Sequence, residues 1–153
     1  MKNATVEYID SSQALSDACL RLKSSSVLAV DTEFQRETTY FPIPALIQLC
    51  ADQQVFLVDP TRIGDFTPLI SLFADNKLIK VMHSCVEDLE VFKQLGVCLP
   101  TPVFDTQIAA AMCELGFSMS YSRLVEECTG KLLNKSETRS DWLQRLSLIH
   151  ISE

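Results

Sequence analysis

The sequence predicts an α/β domain with one mixed sheet flanked by helices, and three observations support this. Strand-like runs come first, and strands alternating with helical patterns follow; that order suits an antiparallel meander joined to parallel crossovers. Two apolar runs, Ala45–Ala51 and Val55–Val58, are separated only by Asp52-Gln53-Gln54, a gap that favours a hairpin. The 153 residues suit one domain rather than two, and a chain of that size buries about 68–70% of the surface its unfolded form exposes.

In chain order, Thr5–Ile9 reads as a short strand. Ser11 or Ser12 can cap a helix that carries Leu15, Ala18, Cys19 and Leu22 on one side. Val27–Phe34, "VLAVDTEF", is a strand, and a polar loop with Pro42 and Pro44 leads from it into the hairpin. Asp65 or Thr67 starts a short helix through Phe73, and Leu78–Met82 is the next strand. Cys85–Leu95 is helical and Gly96 ends it. Val103-Phe104 feeds a helix from Thr106 to Leu115, and Ser120–Cys128 forms the last helix before Gly130.

Composition restricts the function classes. The chain is 47% hydrophobic and 22% charged, with net charge -7, which argues against a broad basic nucleic-acid surface. An enzyme that meets phosphates through bound cations stays open. No apolar run is long enough to span a bilayer, and "MKNATVEYIDSS" lacks the apolar core of a signal peptide, so a cytoplasmic protein without membrane contact is expected. The six Cys include no Cys-x-x-Cys pair, and His83 and His150 are far apart, so a structural zinc site is not expected. The thiols read as small hydrophobes rather than a disulfide framework.

The chemistry lies in the carboxylates. Asp31 and Glu33 are i and i+2 of a strand and share a face. Two like charges about 4 Å apart repel by roughly 4 kcal/mol at an effective dielectric of 20, a conflict resolved by protonation, by exposure to water or by a cation. In "LIKVMHSCVEDLEVFKQL", Ser84 and Glu87 have capping-box spacing, which gives Glu87 a structural role. On a wheel of 3.6 residues per turn, Cys85, Leu89, Phe92 and Leu95 form the inward stripe and Asp88 falls within it. A carboxylate there needs a metal, a salt bridge to an Arg or Lys, or a place at the rim near the helix N-terminus. Three hard oxygen ligands suit Mg²⁺ or Mn²⁺, and a fourth would complete a two-metal phosphoryl-transfer site.

These residues resemble ribonuclease D and the wider DEDD 3′→5′ exonuclease family, from about Val6 to Arg145. "VLAVDTEF" resembles the first exonuclease motif and "HSCVEDLEVF" (83–92) the second. "LIQL" (46–49) and "LVDP" (57–60) are similar to the intervening strands. "FDTQIAA" (104–110) and "KSETRSDWLQR" (135–145) resemble ribonuclease D in particular. The resemblance implies a ribonuclease-H-like fold and metal-dependent removal of nucleoside 5′-monophosphates from RNA 3′ ends, as in tRNA maturation, with tRNA precursors as partners. By motif it implies that Asp31, Glu33 and Asp88 are the catalytic metal ligands for Mg²⁺ or Mn²⁺. The family's third motif, a Tyr three or four residues before an Asp, has no counterpart: no Tyr follows Tyr121, and the last Asp is Asp141. The expectation is therefore a truncated exonuclease domain over 1–145 with weak or no activity, followed by a non-native tail over 146–153. A non-catalytic module of the same fold that binds nucleic acid or protein is the alternative.

Other residues carry two readings each. Asp105 can cap the following helix or lie at the substrate site. His83 can be a satisfied structural histidine or touch substrate. Phe34 can pack in the core or stack on a terminal base. Lys135 and Arg139, in a basic cluster with Lys131 and Arg145, can hold phosphates or form a solvated face. By strand alternation Thr32 points away from its carboxylate neighbours, and Gln48 reads as a hydrogen-bonding structural residue.

Overall fold

The computed structural model describes residues 4–36 and 39–133. Among the described residues six strands run β1 (Thr5–Ile9), β2 (Val27–Gln35), β3 (Ile43–Ala51), β4 (Gln54–Val58), β5 (Ile79–Met82) and β6 (Val103–Asp105). The described helices are α1 (Ser12–Leu22), α2 (Thr67–Phe73), α3 (Val86–Gln94), α4 (Thr106–Met112) and α5 (Tyr121–Thr129). The sheet order is β1-β4-β3-β2-β5-β6. β2, β3 and β4 form the antiparallel meander, and β1, β5 and β6 join it in parallel. The mixed sheet expected from the element order is present.

Local chemistry accounts for most of the boundaries. The Ser11 side chain accepts from the Ala14 N–H and caps α1. The β3–β4 hairpin closes on Asp52 and Gln53, both at positive φ, the geometry that fits the twist of flanking strands. β3 begins earlier than expected, because Pro44 lies inside it opposite Phe34, where the register shifts between Glu33 and Phe34; proline is tolerated at such irregularities. α4 stops at Met112 rather than Leu115. Gly130 ends α5 in the left-handed conformation that lacks a Cβ penalty.

The core lies on one side of the sheet. Leu28, Val30, Ile47, Leu49, Phe56 and Val58 pack against Leu15 and Leu22 of α1, Leu69 and Phe73 of α2, and Phe92 of α3. Phe73 and Phe92 meet edge to face with centroids 5.0 Å apart. The opposite face is less covered: Val6, Val27 and Ile79 are exposed there. Lys80 is 0% exposed, yet its ammonium donates to the Asp75 and Thr101 carbonyls at 2.7 Å each, which satisfies a charge buried within a strand. All six cysteines are free. Among the described residues no helix is long and apolar enough to cross a membrane.

Lys135, Arg139, Arg145 and Trp142, with the expected tail from about Leu146, lie outside the described residues.

Candidate active site

The site forms where β2 outruns its neighbour. β2 pairs with β5 only through Val27–Ala29, so from Val30 onward that edge of β2 is open. Asp31 and Glu33 lie on this stretch, on the less covered face. α3 approaches the open edge from the other side, and Asp88 in its first turn is 7% exposed. The inward placement expected for Asp88 holds. Its partner is neither an arginine nor a lysine. Asp88 Oδ1 accepts the Thr32 backbone N–H at 3.0 Å and the Thr32 hydroxyl at 2.6 Å, in place of the missing strand.

The three carboxylates share one electrostatic environment. Glu33 is pushed up to about 7, by burial first and then by the charges of Asp31 and Asp88. Asp88 is pushed up to about 6 by burial; the Thr32 hydroxyl pulls it back down and the Asp31 charge adds to the rise. Asp31 has an exposed surface, but neighbouring atoms crowd its carboxyl enough that desolvation raises it, against the Thr32 backbone N–H and the charge of His83. Gln48, directly across on β3, donates to Asp31 Oδ2 at 3.2 Å. Three groups that each resist ionisation are the donor set that a hard divalent cation relieves. Even so, among the described residues no group of three or more His, Cys, Asp or Glu side chains is close enough to enclose a cation. The oxygens perturb one another without closing into a complete shell.

The other expected residues are placed as follows. Asp105 caps α4: Oδ1 accepts the Gln107 and Ile108 N–H groups at 2.8 and 3.3 Å. The same carboxylate accepts the Ser84 and Cys85 N–H groups at 3.1 and 2.9 Å, so it also holds the start of α3. Burial alone would raise Asp105, but these bonds, led by Cys85 and Ser84, hold it down at about 2. The capping box expected from Ser84 and Glu87 does not form. Ser84 sits at φ +57, away from the extended geometry a cap requires, and Cys85 is the cap residue with no side-chain cap bond. Glu87 instead faces Arg36 at 3.6 Å. Both ring nitrogens of His83 are engaged, Nδ1 with the Thr106 hydroxyl at 2.9 Å and Nε2 with the Met119 carbonyl at 3.0 Å. Phe34 is half-buried opposite Pro44.

Thr32 is the residue that alternation discounted. Its side chain does point away from Asp31 and Glu33, toward the helices, and that is where Asp88 lies.

A family model described as 3′-5′ exonuclease matches residues 6–150. The chain belongs to the 3′-5′ exonuclease family. Among curated relatives, the exonuclease domain is 43% identical to ribonuclease D of Pseudomonas paraeruginosa over 140 residues, covering 92% of this chain and 37% of that protein. The Escherichia coli RNase D structure, described as an exoribonuclease involved in structured RNA processing, superposes with a TM-score of 0.89 at 40% identity, over 93% of this chain and 38% of that one. The EXO domain of Aedes aegypti Nibbler shares the fold, with a TM-score of 0.83 at 20% identity. The fold is ribonuclease-H-like, and the chain spans less than two fifths of the length of the ribonuclease D relatives.

Proposed function

We propose that this domain is the catalytic part of a metal-dependent 3′→5′ exoribonuclease of the ribonuclease D type. The observation behind this reading is the shared field of Asp31, Glu33 and Asp88 at the open end of β2. Asp31, Glu33 and Asp88 would hold Mg²⁺ or Mn²⁺, which would supply charge stabilisation at the scissile phosphate and activation of the attacking water. Thr32 fixes the Asp88 carboxyl, and Gln48 fixes that of Asp31. In-line attack on the terminal phosphodiester releases a nucleoside 5′-monophosphate. RNA 3′ ends, with tRNA precursors as the natural class, are the proposed substrates, and the cytoplasm is the proposed location.

The Tyr followed by Asp that the resemblance calls for is not found among residues 146–153, and the expectation for these 153 residues by themselves is weak activity. The test is release of labelled 5′-monophosphates from uniformly labelled RNA with Mn²⁺, by this chain and by one extended with a helix bearing the Tyr and Asp. Activity that rises by orders of magnitude on extension supports the reading; an extended chain that stays inert contradicts it.

A non-catalytic nucleic-acid- or protein-binding module is favoured by two observations: Asp88 Oδ1 is already taken by Thr32, and the described carboxylates do not close around a cation. RNA binding without cleavage in the extended chain would select it.

A further inference from the structure

We infer that Tyr40 and Phe41, at the tip of the β2–β3 connection, form a stacking platform for bases upstream of the RNA 3′ end. The inference rests on the exoribonuclease reading and extends it to substrate length. Both rings face water: Tyr40 is 84% exposed and Phe41 57%. They meet edge to face, with centroids 4.9 Å apart and planes at 90°, so each offers one ring surface in a fixed relation to the other. Single exposed aromatics are ordinary. This adjacent pair is held in place. The Arg36 guanidinium donates to the Tyr40 carbonyl through Nη2 at 3.0 Å and Nε at 3.3 Å. The same group pairs with Glu90 at 2.7 Å and faces Glu87 at 3.6 Å. The Thr39 hydroxyl donates to the Phe41 carbonyl at 2.7 Å.

Arg36 therefore fastens the tip to α3, the helix that carries Asp88, and acts as a positioning residue. Its charge is spent on two carboxylates, which leaves the tip itself aromatic rather than cationic. Glu33 lies opposite Leu46, and Tyr40 is six residues before Leu46. At about 3.3 Å per residue the rings stand no more than about 20 Å from the carboxylates along the strand. Bases upstream of the bond being cut fall within that span. Aromatic faces accept any base, so the platform confers preference for length rather than sequence.

The test is fluorescence anisotropy of 5′-labelled oligouridylates of two and eight nucleotides, titrated with the full chain in Ca²⁺. The wild-type chain is expected to bind the octamer more tightly than the dimer. Tyr40→Ala and Phe41→Ala should each weaken octamer binding by about 5- to 100-fold and leave dimer binding unchanged, while Tyr40→Phe retains octamer affinity. Arg36→Ala should weaken the octamer alone, in the same direction. Thermal melts of each variant separate these effects from loss of fold. Variants that bind both lengths as the wild type does, or lose both equally, overturn the platform and leave the exoribonuclease reading standing. A wild-type chain that binds neither length overturns both.

Discussion

Thr32 holds Asp88 with two hydrogen bonds to a single oxygen, the backbone N–H at 3.0 Å and the hydroxyl at 2.6 Å, across 56 positions of sequence. The contact joins the strand that carries Asp31 and Glu33 to the helix that carries the third carboxylate. It also shows why a carboxylate is tolerated on the inner side of α3: Asp88 completes the hydrogen bonding of a strand edge that β5 does not reach.

Thr32→Val removes the hydroxyl and leaves the buried Asp88 acceptor short of one donor. The expected cost is about 1.5–3 kcal/mol, the range for hydrogen bonds to charged groups. Urea denaturation in chelator measures it, and Thr32→Ser should recover most of the loss. If the Val variant is as stable as wild type, the bond is incidental.

The carboxylates predict an unusual pH dependence without metal. Burial and mutual repulsion push Glu33 up to about 7 and Asp88 up to about 6 in the fold, whereas unfolded carboxylates titrate at about 4. The folded state therefore binds more protons between those values, and stability falls as pH rises through that window. In EDTA the melting temperature should climb as pH drops from about 8 toward 4.5. Glu33→Gln should flatten that limb. A melting temperature that instead falls over this range would mean the groups are not forced together.

Asp105 carries the opposite sign. Its carboxyl is held at about 2, so its contribution is present above about 4 and lost as pH falls toward 2. Asp105→Ala removes a helix cap and the acceptor for Ser84 and Cys85 together. A loss of roughly 2–4 kcal/mol at neutral pH is expected, shrinking in acid. Chemical denaturation at pH 7 and pH 2.5 checks both parts; an equal loss at the two pH values would contradict the assignment.

Much of this is legible in the sequence. The apolar run ending in Asp31 and Glu33 marks a strand leaving the core, and helical periodicity puts Asp88 on the inner side of α3. What sequence could not show is nonlocal. Alternation says which way the Thr32 side chain points, not what comes to meet it. The capping box failed because Asp105, 21 positions beyond Ser84, takes the backbone groups at the start of α3. Nothing in "LIKVM" marks Lys80 as fully buried; its two carbonyl partners come from the segment before β5 and the segment before β6. The pairing of Arg36 with Glu87 and Glu90 spans the same kind of distance.

The most direct test of the central claim is isothermal titration of Mn²⁺ into the wild-type chain and into Asp31→Asn, Glu33→Gln and Asp88→Asn. The account predicts saturable binding by the wild type, weakened by tenfold or more, about 1.4 kcal/mol, in every variant. Titrations identical across all four proteins would show that these three carboxylates are not a cation site.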